Sequence, residues 1–243
     1  MKVLQILPQL NIGGVERGTL DLSKALIQKG HESFVVSGGG ILVDELIQSG
    51  AKHYEIPVHI KSLRTLSLAK NLSKTISFID PDIVHVRSRM PAWVNFRAFK
   101  MLQKKPLLIS TFHGLYSFPI YSQVMSFVDH SIAISRTVEK YILKNYKLNK
   151  DDITVIPRGC DPEEFNNNSI NPDHKAKILN EFPPIVGQKV LTIPGRITNW
   201  KGVAEFIELL SLLDESYHGL IVGPTAKSKN KYLNKLQNKV SSL

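Results

Sequence analysis

Arg196 and Lys201 carry the clearest chemistry in this chain, set in the stretch Pro194-Gly195-Arg196-Ile197-Thr198-Asn199-Trp200-Lys201-Gly202. An apolar run, Val190 to Ile193, precedes it and an amphipathic run, Val203 to Leu213, follows. The two cations therefore fall in a glycine-bounded turn between an expected strand and the N-terminus of an expected helix. Such a turn offers unpaired backbone N–H groups and the positive end of a helix dipole. Arginine can grip two phosphate oxygens in a fork, and lysine adds a mobile point charge. The combination suits a diphosphate. Alone, the stretch is equally a basic surface turn, because short glycine-and-lysine motifs recur by chance.

Four further groups bear on that choice. Asn11-Ile12-Gly13-Gly14-Val15-Glu16-Arg17 joins the first expected strand to its helix, and Gly13 and Gly14 would let backbone approach a ligand. It lacks the G-x-G-x-x-G spacing of a dinucleotide fingerprint, and a tight strand-to-helix turn is its plain alternative. His85-Val86-Arg87-Ser88-Arg89 and Thr111-Phe112-His113-Gly114-Leu115-Tyr116 each close an expected strand, so both point to the edge where parallel sheets bind ligands. A histidine there can donate a hydrogen bond to a hydroxyl or a developing charge, or it can be a satisfied structural residue. Ile156-Pro157-Arg158-Gly159-Cys160-Asp161 ends the last strand of the first half and reads equally as a turn or a ligand contact. No Cys/His/carboxylate spacing resembles a metal site.

The elements that would position these residues alternate. Expected strands at Lys2–Leu7, Ser33–Ser37, His53–Pro57, Ile83–Val86, Leu107–Thr111, Ser131–Ile134 and Ile153–Ile156 are separated by helical patterns near 15–28, 41–48, 63–78, 92–102 and 135–145. Alternation of this kind builds parallel βαβ units with helices on both faces. Asparagines and prolines between Phe165 and Pro184 mark a linker holding one short helix, after which the pattern restarts with two strands and two helices. The expected division is 1–165, a linker at 166–185, and an incomplete second domain at 186–243.

With 243 residues and 42% hydrophobic content, the chain fits a globular α/β protein of two domains. Its single cysteine, Cys160, excludes an internal disulfide, fits a reducing compartment, and has no evident base partner, so a small buried residue is expected. The N-terminus lacks a secretion-signal core, and no run reaches the roughly 18 apolar residues of a membrane span, which makes the cytoplasm the expected compartment. The net charge of +10 favours an anionic partner. Ten Lys/Arg against two acids lie between Lys61 and Lys105, where a helix could be a solvated face or a dock on an anionic membrane. Nucleic acid is disfavoured, because the basic residues are not interleaved with stacking aromatics.

Taken in order, these motifs resemble glycosyltransferase family 4, of GT-B fold. The resemblance rests on Gly13-Gly14-Val15-Glu16, Thr111-Phe112-His113-Gly114, Val155 to Asp161 ahead of Phe165, and Gly195-Arg196 with Lys201-Gly202. It implies retaining transfer of a sugar from a nucleotide-sugar donor to a glycan or glycolipid acceptor, without an essential metal. Arg196 and Lys201 would hold the donor diphosphate and stabilise the leaving group, with Gly13, Gly14 and Gly195 beside it and His113 by the transferred sugar. His85, Arg87, Arg89 and Tyr116 are the acceptor candidates. The stretch from His85 to Trp93 resembles a bacterial subset associated with lipopolysaccharide core assembly. The family's later pair of glutamates, with seven residues between them, has no counterpart here, since no acidic residue follows Glu215. The expectation is thus a C-terminally truncated transferase, peripheral at the inner membrane face. Its rival is an inactive half-enzyme serving as a scaffold at a membrane or beside a companion chain.

Overall fold

The computed structural model describes residues 1–60, 67–116, 119–163, 165–166, 168, 170–225 and 230–242. Lys61, Leu63, Arg64 and Leu66 of the possible membrane-docking helix lie outside them. The chain forms two compact units, Met1–Asp161 and Pro162–Leu243.

In the first unit, strands β1 (Lys2–Ile6), β2 (Glu32–Ser37), β3 (Lys52–Glu55), β4 (Ile83–Val86), β5 (Leu107–Phe112), β6 (His130–Ala133) and β7 (Ile153–Val155) make one sheet. Their order is β3-β2-β1-β4-β5-β6-β7 and every pairing is parallel. Helices α1 (Gly14–Gln28), α2 (Val43–Gln48), α3 (Ala69–Ile79), α4 (Arg89–Phe99), α5 (Pro119–Ser122) and α6 (Arg136–Asn145) connect them. Strands buried on both faces read as near-continuous apolar runs, and Leu4, Ile6, Val35, Val36 and Val84 are all wholly buried. On one face Leu72, Ile76, Val94 and Ala98 close the core; on the other Leu20 and Leu46 pack over Leu7, Leu10 and Val35. Ser135 caps α6 by accepting from the Val138 N–H at 3.2 Å, as expected of an N-cap serine.

Two expectations shift. Helix α4 begins at Arg89 rather than Ala92, because Pro91 lies in its first turn, where a missing N–H costs nothing. Arg89 is therefore a helical residue. Cys160 is exposed rather than buried, in an irregular segment whose residues 157 to 163 are all exposed.

The second unit contains α7 (Pro172–Glu181), β8 (Lys189–Pro194), α8 (Val203–Ser211), β9 (Tyr217–Val222) and α9 (Asn230–Ser241). Strands β8 and β9 pair in parallel from Lys189↔Tyr217 to Pro194↔Val222. Val203, Ile207 and Leu236 form the buried cluster beneath α8 and α9. Neither strand has a fully buried residue.

Candidate active site

Strand order in the first unit reverses between β1 and β4. In open parallel sheets, ligands bind in the crevice outside the carboxyl ends of the strands at such a point. The loops after β1, β4, β5 and β7 all end on that edge, and they bring together Gly14, Arg87, His113 and Arg158.

Gly14 and Gly18 stand one helical turn apart on α1 and leave that face bare. A methyl group on Gly14 would sit 2.8 Å from Arg158 Nη1, and one on Gly18 would sit 3.3 Å from Arg87 Nη2. The two guanidinium groups fill the space that side chains would otherwise take. Arg158 Nη1 donates to the Gly14 carbonyl and Nη2 donates to His113 Nδ1 at 3.2 Å. Arg87 Nη1 donates to Gln5 Oε1 at 2.8 Å, and Gln5 Nε2 donates to the Thr19 carbonyl at 3.1 Å and to Ser23 Oγ at 3.0 Å. The network ties β1 to α1 beneath the glycine loop.

Burial dominates the electrostatics. It lowers the Arg87 pKa to about 10, with the Arg158 charge adding to the effect and Asp21 and Glu16 opposing it. Burial and then the Arg87 and Arg158 charges push His113 down to about 3. His85 is also driven well below its ordinary value, first by burial. Both imidazoles are neutral at physiological pH.

The expected acceptor residues separate into two pairs. His85 is 3% exposed and lies 2.7 Å from Thr111 Oγ1, and Arg87 is 6% exposed, so neither offers a surface to a ligand. Both support the crevice floor from within. Arg89 and Tyr116 lie together and partly open. The Arg89 guanidinium carbon sits 4.9 Å from the Tyr116 ring centre and 5.3 Å from that of Tyr121, with Nη1 donating to Ser122 Oγ at 3.3 Å. The Tyr116 hydroxyl accepts from the His113 backbone N–H at 3.4 Å, and its ring packs 5.5 Å from Phe112.

In the second unit the carboxyl ends of β8 and β9 meet at two glycines. The Gly195 N–H donates to the Val222 carbonyl at 2.8 Å, and a methyl on Gly223 would overlap the Gly195 carbonyl. Gly223 has φ +158 and Gly195 φ +148, backbone that side-chain-bearing residues rarely adopt. A short 3₁₀ turn, Asn199–Lys201, then leads through Gly202 into α8. Arg196 Cζ lies 5.7 Å and Lys201 Nζ 4.4 Å from the ring centre of Trp200, which is 67% exposed. The aromatic face holds both cations at the mouth of the turn.

Gly18 and Tyr121 are not singled out by sequence reasoning for this site, whereas Arg158 and Trp200 lie in stretches it names without giving either residue a role. A helix-interior glycine one turn after Gly14 is the local trace of the guanidinium pocket, and an exposed tryptophan between two cations is the trace of their shared platform. Tyr121 leaves no such trace, and the turn holding Arg158 does not report which residues it meets.

The parallel-sheet crevice and the glycine-bounded Arg/Lys turn, each on its own unit, define a GT-B-type glycosyltransferase fold. The chain belongs to glycosyltransferase family 4, whose sequence profile matches residues 12–164. A crystal structure of a glycosyltransferase from Rickettsia africae is similar to 99% of this chain at 32% identity with a TM-score of 0.83, and the match covers 65% of that protein. Anabaena HepE in complex with UDP and glucose matches 100% of the chain at 17% identity and a TM-score of 0.79, over 66% of its own length. One subunit of the human phosphatidylinositol N-acetylglucosaminyltransferase is 26% identical over an alignment of 173 residues, and the match covers 64% of this chain and 35% of the human protein. The chain thus spans about two-thirds of these solved structures and about a third of the human relative. None of the helices described is long and apolar enough to cross a membrane.

Proposed function

We propose that this chain carries out its part of a retaining sugar transfer from a nucleotide-sugar donor to a glycan or glycolipid acceptor. The observation that carries the reading is the pair of exposed cations on Trp200, held at a helix N-terminus beside two closely packed glycine backbones. A diphosphate leaving group accumulates charge as its bond to the anomeric carbon breaks, and preorganised donors count most at that step. Arg196 and Lys201 supply them, with the Gly195 region beside them. HepE, which is similar in fold, binds UDP and glucose, and that supports a nucleotide-sugar donor. The acceptor hydroxyl oxygen bonds to the anomeric carbon on the face that the diphosphate vacates, and its proton passes to the departing phosphate oxygen. No resident metal is required, because the two cations meet the developing charge.

In this reading His113 meets the transferred sugar, Gly13 and Gly14 leave room for the donor phosphates, and Arg89 with Tyr116 and Tyr121 receives the acceptor. The human relative, by its name, acts on a phosphatidylinositol, which supports a lipid-linked acceptor. The His85–Trp93 stretch supports a lipopolysaccharide-type glycolipid. Basic residues of α3 and α4 (Lys70, Lys74 and Arg97), with Lys100 just after α4, would meet an anionic membrane at its cytoplasmic face.

Calorimetric titration with UDP, GDP and ADP tests the reading. Arg196→Ala and Lys201→Ala are each expected to weaken the preferred nucleotide about tenfold, the loss of one charge-assisted hydrogen bond at an exposed site. Binding unchanged in both variants refutes the assignment.

A further inference from the structure

We propose that Arg158 is a positioning residue that fixes the His113 ring as the Nε2–H tautomer, leaving that N–H free to donate to the substrate.

Valence decides the tautomer. A guanidinium has five N–H donors and no acceptor. Arg158 Nη2 lies 3.2 Å from His113 Nδ1, so Nδ1 must be the lone-pair nitrogen. A neutral imidazole with a lone pair on Nδ1 carries its proton on Nε2. His113 Nε2 is buried and has no hydrogen-bond partner among the described residues. A buried N–H left unpaired costs free energy, and a substrate hydroxyl or oxyanion would satisfy it. The same ring at the same edge would be useless as a donor in the other tautomer.

Arg158 is itself held on its other side. Its Nη1 donates to the Gly14 carbonyl, and it packs where a Gly14 side chain would stand. The groups facing the imidazole are Arg158 from the segment after β7, Arg87 and His85 from β4 and its end, and the Tyr116 hydroxyl, which takes the His113 backbone N–H. The two guanidinium charges oppose a third on the imidazole, so the ring stays neutral and keeps a single donor. The arrangement parallels other enzymes in which a neutral histidine polarises a substrate oxygen. Here the device is an arginine rather than a helix dipole.

This inference rests on His113 facing the transferred sugar, but its test does not. Nitrogen-15 NMR of the imidazoles in the 243-residue chain reads tautomer and titration directly, without donor, acceptor or turnover. The wild-type His113 signal is expected to show a protonated Nε2 and a bare Nδ1 and to stay so between pH 5 and 8. In Arg158→Ala and Arg158→Gln, the tautomers are expected to mix and the titration midpoint to move upward. Gly14→Ala, which pushes the guanidinium aside, is expected to reproduce the tautomer mixing. Arg158→Lys, which keeps a donor and a charge, is expected to restore part of the wild-type pattern. A wild-type His113 protonated on Nδ1, or one whose signal ignores Arg158→Ala in a folded protein, overturns the proposal. Correct NMR behaviour without nucleotide binding would leave the tautomer assignment standing and remove the transferase reading instead.

Discussion

The buried Gln5–Arg87 pair makes a prediction that runs against ordinary additivity. Gln5 is 0% and Arg87 6% exposed, joined at 2.8 Å. Gln5→Leu removes the acceptor of a buried guanidinium whose Nε already has no partner among the described residues. The other losses are small, since Ser23 Oγ still accepts from Ser33 and still donates to the Thr19 carbonyl. Leaving a buried donor without its acceptor costs about 1–3 kcal/mol, and more when the donor is charged. Arg87→Met instead leaves a neutral amide oxygen unpaired, about 1–3 kcal/mol, offset in part by removing a buried charge. In the double variant both partners are apolar, and such replacements are near neutral. The double variant should therefore be more stable than Gln5→Leu alone. Urea unfolding followed by far-UV circular dichroism gives each midpoint and slope, hence the coupling energy. We expect a coupling of about 2–3 kcal/mol, whereas independent sites agree within about 0.5 kcal/mol. Additive losses would refute the view that the pair exists to satisfy one buried charge.

Two further outcomes follow. Gly223→Ala should abolish nucleotide binding while leaving the first unit folded, because its methyl would overlap the Gly195 carbonyl; calorimetry and the Trp93 near-ultraviolet signal separate the effects. Stability should also fall with acid earlier than carboxylates alone dictate. His113 has a folded pKa of about 3 against about 6.5 in the unfolded chain, so the unfolded state binds the extra proton between those values. Its contribution is complete above about pH 6.5 and is lost at about 1.4 kcal/mol per pH unit as pH falls through that window. His113→Gln should flatten the decline in urea midpoint from pH 7 to 5, and an unchanged slope would contradict the depressed pKa.

Much of this architecture is readable from residue order. Apolar runs of strand length alternating with helical spacing announce parallel units, and strand ends mark the edges where Gly14 and His113, and separately Arg196 and Lys201, stand. What resists reading is long-range pairing. Arg158 meets Gly14 across 144 residues and His113 across 45, and no local pattern reports such contacts. Gln5 interrupts an apolar strand and looks like an exception to it; the structure makes it the acceptor for a buried arginine. His85 and Arg87 illustrate the converse error, for polar residues near a strand end turn inward as readily as toward a ligand. Burial is set by neighbours on other strands, and sequence position alone leaves it open.

The sheet order also governs how the chain is made. Strand β1 pairs with β2 at once, yet its other neighbour, β4, ends about fifty residues after β2 does. At ribosomal rates of about 5–20 residues per second, that open edge persists for about 2–10 s during synthesis. The exposed β1 edge, with its apolar side chains, is what a nascent-chain chaperone would shield. From β4 onward each new strand adds to the previous one, so the second half of the sheet assembles in the order of translation.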